Sequence, residues 1–98
     1  TEALSASVPP KYNVTVTITP ALATNGYLYL KNASTGVTVK YTITKTGATW
    51  TGINAGNYKV QAYKSGMTFS CTVVGGATGN PVALTLAADA VVNCTHTP

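Results

Sequence analysis

Few residues in this chain could do chemistry. The 98 residues include two acidic side chains, Glu2 and Asp89, and one histidine, His96. Hydrolysis, phosphoryl transfer and oxygen-ligated metal sites all draw on acidic side chains. The sequence also lacks a G-x-S-x-G nucleophile motif and a pair of acids suited to glycoside hydrolysis. It therefore predicts a protein that is not an enzyme and uses no cofactor.

The composition is that of a protein outside the cell. Apolar residues make up 45% of the chain, enough for a core, and charged residues only 8%, against about 25% in an average soluble protein. Eighteen threonines, with serine and asparagine, supply polarity without charge. We expect an extracellular or cell-surface location, and the start at Thr1 leads us to expect a processed N-terminus.

The charge pattern argues against nucleic acid and membrane partners. The net charge of +4 comes from six lysines, with no arginine and no run of adjacent positive residues. Nucleic-acid sites usually cluster arginine and lysine on one face. A membrane-spanning helix needs about 18 or more consecutive apolar residues, and no such run occurs. We expect neither nucleic-acid binding nor membrane insertion.

The two cysteines, Cys71 and Cys94, predict one disulfide. An even cysteine count in a small chain of extracellular character usually forms a disulfide framework. A metal site is the alternative, because Cys94 and His96 form a C-x-H pair that Cys71 could join. A structural zinc site normally takes four ligands, so we predict the disulfide and no metal.

Alternating apolar and polar residues predict β-strands. The alternation is clearest where valine, isoleucine and tyrosine are interleaved with threonine, as in residues 12–18 and 37–43. Turn residues separate these from five further short runs, at 27–31, 58–62, 67–73, 82–86 and 90–95. About seven strands without a helical period predict an all-β fold, a single antiparallel immunoglobulin-like β-sandwich over residues 11–98.

Residues 1–10 form a separate extended segment in this reading. Leu4, Ala6 and Val8 alternate with small and polar residues, and two prolines then end the run. We expect this segment to add as a strand to the sheet of a neighbouring copy. Leu4, Ala6 and Val8 would then contact that copy. Such contacts propagate head-to-tail as a fibre, a layout that resembles donor-strand pilins. A tail or linker is the alternative.

Residues 51–60 carry a family resemblance. Ile53, Gly56, Tyr58 and Val60 follow an apolar-x-x-Gly-x-Tyr-x-Val pattern. The pattern resembles carboxypeptidase-regulatory-like and collagen-adhesin B-type domains, which are transthyretin-related sandwiches repeated in surface proteins. The resemblance implies that fold and a place in a surface protein.

Some adhesin domains of that type carry an internal lysine-to-asparagine isopeptide bond formed beside a buried acid. Lys11 and Asn93 are the pair that could correspond here, with Asp89 as the nearest acid. No acid lies in the central strand segments. We therefore do not expect the isopeptide bond.

Three N-x-[ST] sequons mark candidate glycosylation sites at Asn13, Asn32 and Asn93. The predicted strand pattern puts Asn13 on an outward face and Asn32 in a turn. Both positions would let a glycan project away from the core. We expect that at least one is used.

The chain is predicted to be a non-catalytic structural subunit of an extracellular filament, pilus or surface stalk. The alternative is a carbohydrate-binding or adhesive module of a larger secreted protein. Such modules stack sugar rings on exposed aromatic side chains, and the candidates are Tyr27, Tyr29, Trp50 and Tyr63.

Overall fold

The computed structural model describes residues 10–98, so the predicted contacts at Leu4, Ala6 and Val8 lie outside the described residues. The described residues form nine strands and no helix, which confirms the all-β prediction. The strands are β1 (Lys11–Ile18), β2 (Gly26–Asn32), β3 (Thr38–Thr44), β4 (Gly47–Asn54), β5 (Gly56–Tyr63), β6 (Thr68–Val73), β7 (Thr78–Gly79), β8 (Val82–Leu86) and β9 (Ala90–Thr97).

The strands form two sheets packed as a sandwich. The five-stranded sheet has the order β4-β1-β9-β6-β7, and the four-stranded sheet has the order β3-β2-β5-β8. Three details differ from the prediction. The irregular run around Trp50 forms the full strand β4, and the short strand β7 lies where a loop was expected. Strand β1 pairs with β9 in parallel, while the other pairs are antiparallel. No helix in the described part of the chain could cross a membrane.

The core follows the alternation that predicted the strands. On β1, Val14, Val16 and Ile18 are buried, and their neighbours Thr15 and Thr17 face outward. The same pattern recurs on β5, β6, β8 and β9. Burying such side chains stabilises by about 1.5–3 kcal/mol each, so the spacing of apolar residues sets which face of each strand turns inward.

The disulfide prediction is confirmed. Cys71 on β6 and Cys94 on β9 lie directly opposite each other, are fully buried and are bonded. The bond ties the C-terminal strand to the body of the five-stranded sheet. It also removes both sulfurs from the alternative metal site, and His96 instead bonds the carbonyl oxygen of Pro20 through Nε2 at 2.7 Å.

One glycine fixes how closely β4 approaches β1. Gly47 has φ of 141°, and a Cβ there would lie 2.1 Å from the carbonyl oxygen of Val16. Any side chain would collide with this backbone oxygen. The lack of a side chain at Gly47 therefore lets the first residue of β4 lie close against β1.

The residues that carry the family resemblance have structural roles at the start of β5. Tyr58 is buried and its hydroxyl donates to the carbonyl oxygen of Asn54 at 2.6 Å. Val60 is fully buried, and Gly56 has φ of 155° at the tight turn from β4. The motif therefore closes the β4–β5 corner.

Candidate functional site

Strand β8 is an edge strand of the four-stranded sheet. Between the sheets, β6 contacts both β5 and β8, and β7 also contacts β8. The five-stranded sheet therefore packs against β8, while within residues 10–98 no strand pairs with the outer edge of β8.

The edge of β8 presents free backbone groups on this side. The side-chain amide of Asn80 bonds both the N–H and the C=O of Ala62, at 3.0 and 2.9 Å, so these groups of β5 point toward the β8 side. Backbone direction alternates along an antiparallel ladder. Ala83 lies opposite Lys59, and this alternation turns its N–H and C=O away from β5. Within residues 10–98, β8 pairs with β5 alone.

A shallow apolar groove adjoins this edge. It comprises two cavities of about 330 and 390 Å³, and Val73, Val74, Leu84 and Thr85 line both. Val74 is 63% exposed. An open strand edge beside an apolar floor is a place where a further strand can bind through both its backbone and its side chains.

The two ends of the described chain lie at opposite ends of the sandwich. Pro10 is held at the β4–β5 corner, where its carbonyl oxygen accepts the N–H of Ala55 at 3.1 Å. Strands β1 and β9 run parallel, from Val14 opposite Ala90 to Ile18 opposite Cys94. The chain therefore enters β1 at one end and leaves β9 at the other.

The second notable region is the outer surface of the four-stranded sheet, here called the tyrosine face. Tyr27 and Tyr29 on β2, Tyr41 on β3 and Tyr63 on β5 present their rings there. The ring centroids of Tyr27 lie 6.3, 6.1 and 6.3 Å from those of Tyr29, Tyr41 and Tyr63, and the Tyr29 and Tyr41 centroids are 5.3 Å apart. The face thus brings together three of the predicted aromatic residues and one, Tyr41, that the prediction missed.

Trp50 does not belong to this face, so including it among the exposed aromatic residues was wrong. It is only 5% exposed, and its Nε1 donates to Oγ1 of Thr42 at 2.9 Å. The indole packs between β4 and β3, where it closes that side of the sandwich. A single tryptophan in a sandwich often fills the core in this way.

Lysines border the tyrosine face at one end. Lys31 on β2 lies directly opposite Lys59 on β5. The Nζ of Lys31 donates to Oε1 of Gln61 at 2.8 Å and lies 5.5 Å from the ring centroid of Tyr29. The face therefore combines aromatic rings, an amide and two positive charges.

Strand β3 carries its apolar residues on the outside. Val39, Tyr41 and Ile43 are 46, 51 and 50% exposed. Partial desolvation, with the neighbouring phenols of Tyr27 and Tyr29, raises the pKa of Tyr41 above its ordinary value. Alternation in the sequence could identify this strand, but it could not say which of its faces would turn inward.

The sequons lie at two kinds of position. Asn13 and Asn93 are exposed on β1 and β9. The Oδ1 of Asn32 accepts the N–H groups of Ser34 and Thr35, at 2.9 and 3.1 Å, which shapes the turn before β3. Glycosylation at these asparagines stays a prediction.

The register separates the two residues considered for an isopeptide bond. Asn93 lies opposite Thr17 on β1, and Lys11 is six residues earlier on the same strand, roughly 20 Å away at the rise of a strand. Asp89 instead accepts the backbone N–H of Asn13 at 2.8 Å. Among the described residues, no three histidine, cysteine or acidic side chains are grouped to hold a metal.

Comparison with known proteins gives no match: no family model, curated protein or solved structure is similar enough to assign this chain. The resemblance of residues 51–60 to adhesin-type domains remains a prediction. The groove beside β8 and the tyrosine face are thus the features from which function can be inferred.

Proposed function

We propose that this protein is a non-catalytic structural subunit of an extracellular filament or surface stalk. In this proposal the N-terminal segment of one copy adds as a strand to the β8 edge of the next. The observation that carries it is the open backbone edge at Ala83 beside the apolar groove. An exposed edge of this kind invites pairing with another chain.

The segment and the groove match in pattern and length. A strand running beside β8 would direct alternate side chains into the groove and to solvent. Leu4, Ala6 and Val8 supply the inward set, and the serines between them supply the outward set. Residues 4–8 are five in number, as are those of β8.

The placement of the two partners favours a chain of copies. The segment joins the sandwich at Pro10, by the β4–β5 corner, and the acceptor is the outer edge of β8 with the groove beside it, whose Asp89 accepts the N–H of Asn13. Donor and acceptor are different surfaces, so the contact is heterologous and each copy leaves one of each for the next. Growth then continues as a fibre.

The terminal strands suit a subunit that carries tension. Where the chain is a repeat within a longer surface stalk, force applied at the start of β1 and the end of β9 would pull two parallel, directly paired strands in opposite directions. Their slanted hydrogen bonds would then be loaded together instead of one at a time. The Cys71–Cys94 bond would pass part of that load to β6.

An extracellular location is part of the proposal. Disulfides persist in oxidising compartments, and glycans at Asn13, Asn32 or Asn93 would add solubility to a surface with few charges. The adhesin-type resemblance of residues 51–60 also favours a surface protein.

Two matched substitutions in the segment test the proposal. Leu4→Asp would place a charge against the apolar groove, and Ser5→Asp would place the same charge on the solvent side of the same strand. We expect Leu4→Asp to abolish fibres and Ser5→Asp to leave them intact, as measured by sedimentation and electron microscopy. Equal fibre formation by both variants would contradict strand addition in this register.

A further inference from the structure

The tyrosine face is an exposed aromatic surface on a small protein. Tyr41 and Tyr63 are 51 and 49% exposed, and Ile43 beside them is 50% exposed. Contiguous exposed apolar patches commonly mark binding sites. Tyrosine offers an apolar ring and a hydroxyl on the same side chain, which fits a ligand with both C–H faces and hydroxyl groups.

The lysine pair adds a preference for charge. Lys31 and Lys59 are directly opposite on the same face, and like charges in that position destabilise a sheet. The chain's acidic residues, Glu2 and Asp89, lie outside β2, β3 and β5. A negatively charged ligand would relieve this repulsion.

The phenols can act as hydrogen-bond donors to such a ligand. A tyrosine hydroxyl is protonated at neutral pH, because its ordinary pKa is about 10, and partial desolvation raises the pKa of Tyr41 further. Gln61 already holds Lys31 beside the ring of Tyr29. Rings, donors and positive charge are therefore fixed on one surface by strand pairing.

We propose that the tyrosine face binds an acidic polysaccharide. Sugar rings would pack on Tyr27, Tyr29 and Tyr41, and the carboxylate or sulfate groups of the chain would meet Lys31 and Lys59. Charge complementarity selects this ligand over a neutral glycan. The site is separate from the β8 groove, so it does not depend on strand addition.

Nucleic acid fits this face less well. Single-strand binders combine a positively charged groove with rings on which successive bases stack. Here the surface is a sheet face, the chain has no arginine, and the four rings pack against one another. An oligonucleotide is nevertheless a useful competitor in the test.

The test is affinity electrophoresis of the full chain in gels containing polygalacturonate, with fully methyl-esterified polygalacturonate as the uncharged counterpart. We expect retardation by the acidic polymer and little by the ester. Binding should be largely lost at 1 M salt, because the screening length falls from about 10 Å at 0.1 M to about 3 Å. Equal retardation by both polymers, or none by either, would overturn the proposal.

Charge-matched variants locate the site. Lys31→Gln with Lys59→Gln should weaken binding at least about tenfold, or about 1.4 kcal/mol. Lys11→Gln with Lys45→Gln removes the same charge elsewhere and should have little effect. Equal losses in the two double variants would show that only net charge matters and would overturn the assignment.

The aromatic contribution is tested separately. Tyr29→Ser should also weaken binding about tenfold, while Tyr29→Phe should retain most of it because the ring remains. Thermal unfolding of each variant confirms that the sheet is intact. Unchanged binding by Tyr29→Ser, or tighter binding of a single-stranded oligonucleotide than of polygalacturonate, would count against a saccharide site.

Discussion

The two edges of the four-stranded sheet differ in what lies behind them. Edge strand β3 is backed by β4, and the buried Trp50 bonds Thr42 across the gap between the sheets. Edge strand β8 lies against β6 and β7, and a groove of two cavities is open beside it. One side of the sandwich is closed by its own core, and the other is left open.

The side chains follow the same division. On β3 the apolar residues Val39, Tyr41 and Ile43 face solvent. On β8 they face inward, and the small residue Ala83 faces out. The β3 side thus presents an exposed apolar surface, whereas the β8 side presents an unpaired strand edge beside a groove. This division underlies both proposals.

The largest expected effect is on the closed side. Trp50→Ala should lower the free energy of unfolding by about 3–5 kcal/mol, because it empties a filled space between β3 and β4. Val73→Ala, at the open groove, should cost only about 1–2 kcal/mol, since roughly two methylene equivalents are lost beside solvent. Urea unfolding of both variants measures the contrast, and equal losses would mean that the two sides are equally well packed.

Loss of the disulfide should lower the free energy of unfolding nearly as much, because the bond joins β6 to β9 and β6 packs against the edge strand β8. Replacing both Cys71 and Cys94 with alanine should cost about 3 kcal/mol from loop closure alone, for a separation of 23 residues. Chemical denaturation with and without reductant checks this on the unaltered chain. A reduced protein as stable as the oxidised one would contradict a role for the bond.

A separate peptide of residues 1–8 should bind the open edge of β8. Added at 100 times its dissociation constant to a variant that lacks residues 1–8, it should raise stability by about 2.7 kcal/mol. Ala83→Pro in the same variant should abolish the shift, because it removes the N–H that points to the open edge. Ile43→Pro on β3 is the matched control. If Ile43→Pro abolished the shift and Ala83→Pro kept it, the peptide would pair with the edge of β3, which would contradict strand addition at β8.

The smallest effect concerns alkaline pH at the tyrosine face. The pKa of Tyr41 is raised in the folded protein above its ordinary value of 10.0. The associated stability is present below the unfolded value and is lost as pH rises through the folded one. Tyr41→Phe should reduce the loss of stability above pH 10.0, as followed by thermal unfolding across that range, and an unchanged profile would contradict the stacked environment.

The sequence predicted what local alternation and cysteine count determine. The strand at residues 12–18 follows from Val14 and Val16 alternating with threonine, and the disulfide follows from two cysteines in a chain of this composition. Strand β4 carries no clear alternation, because its pairing with β1 shifts register between Trp50 and Ile53, which are both buried although three positions apart. The strand was therefore not predicted.

The candidate site was harder to predict because its faces depend on pairing. Tyr41 and Trp50 are both aromatic residues in strands, yet one is exposed and the other is buried. Only the register of β2 with β3 and β5 brings Tyr41, Lys31 and Lys59 to one surface. The unpaired edge of β8 likewise depends on the order of the strands in the sheet, which no local sequence pattern encodes.

The most direct test of strand addition is negative-stain electron microscopy of four samples at equal concentration. These are the native chain, a variant lacking residues 1–8, Ala83→Pro and Ile43→Pro. Strand addition at β8 predicts fibres from the native chain and Ile43→Pro, and monomers from the other two. Monomers from the native chain, or fibres from the variant lacking residues 1–8, would contradict it.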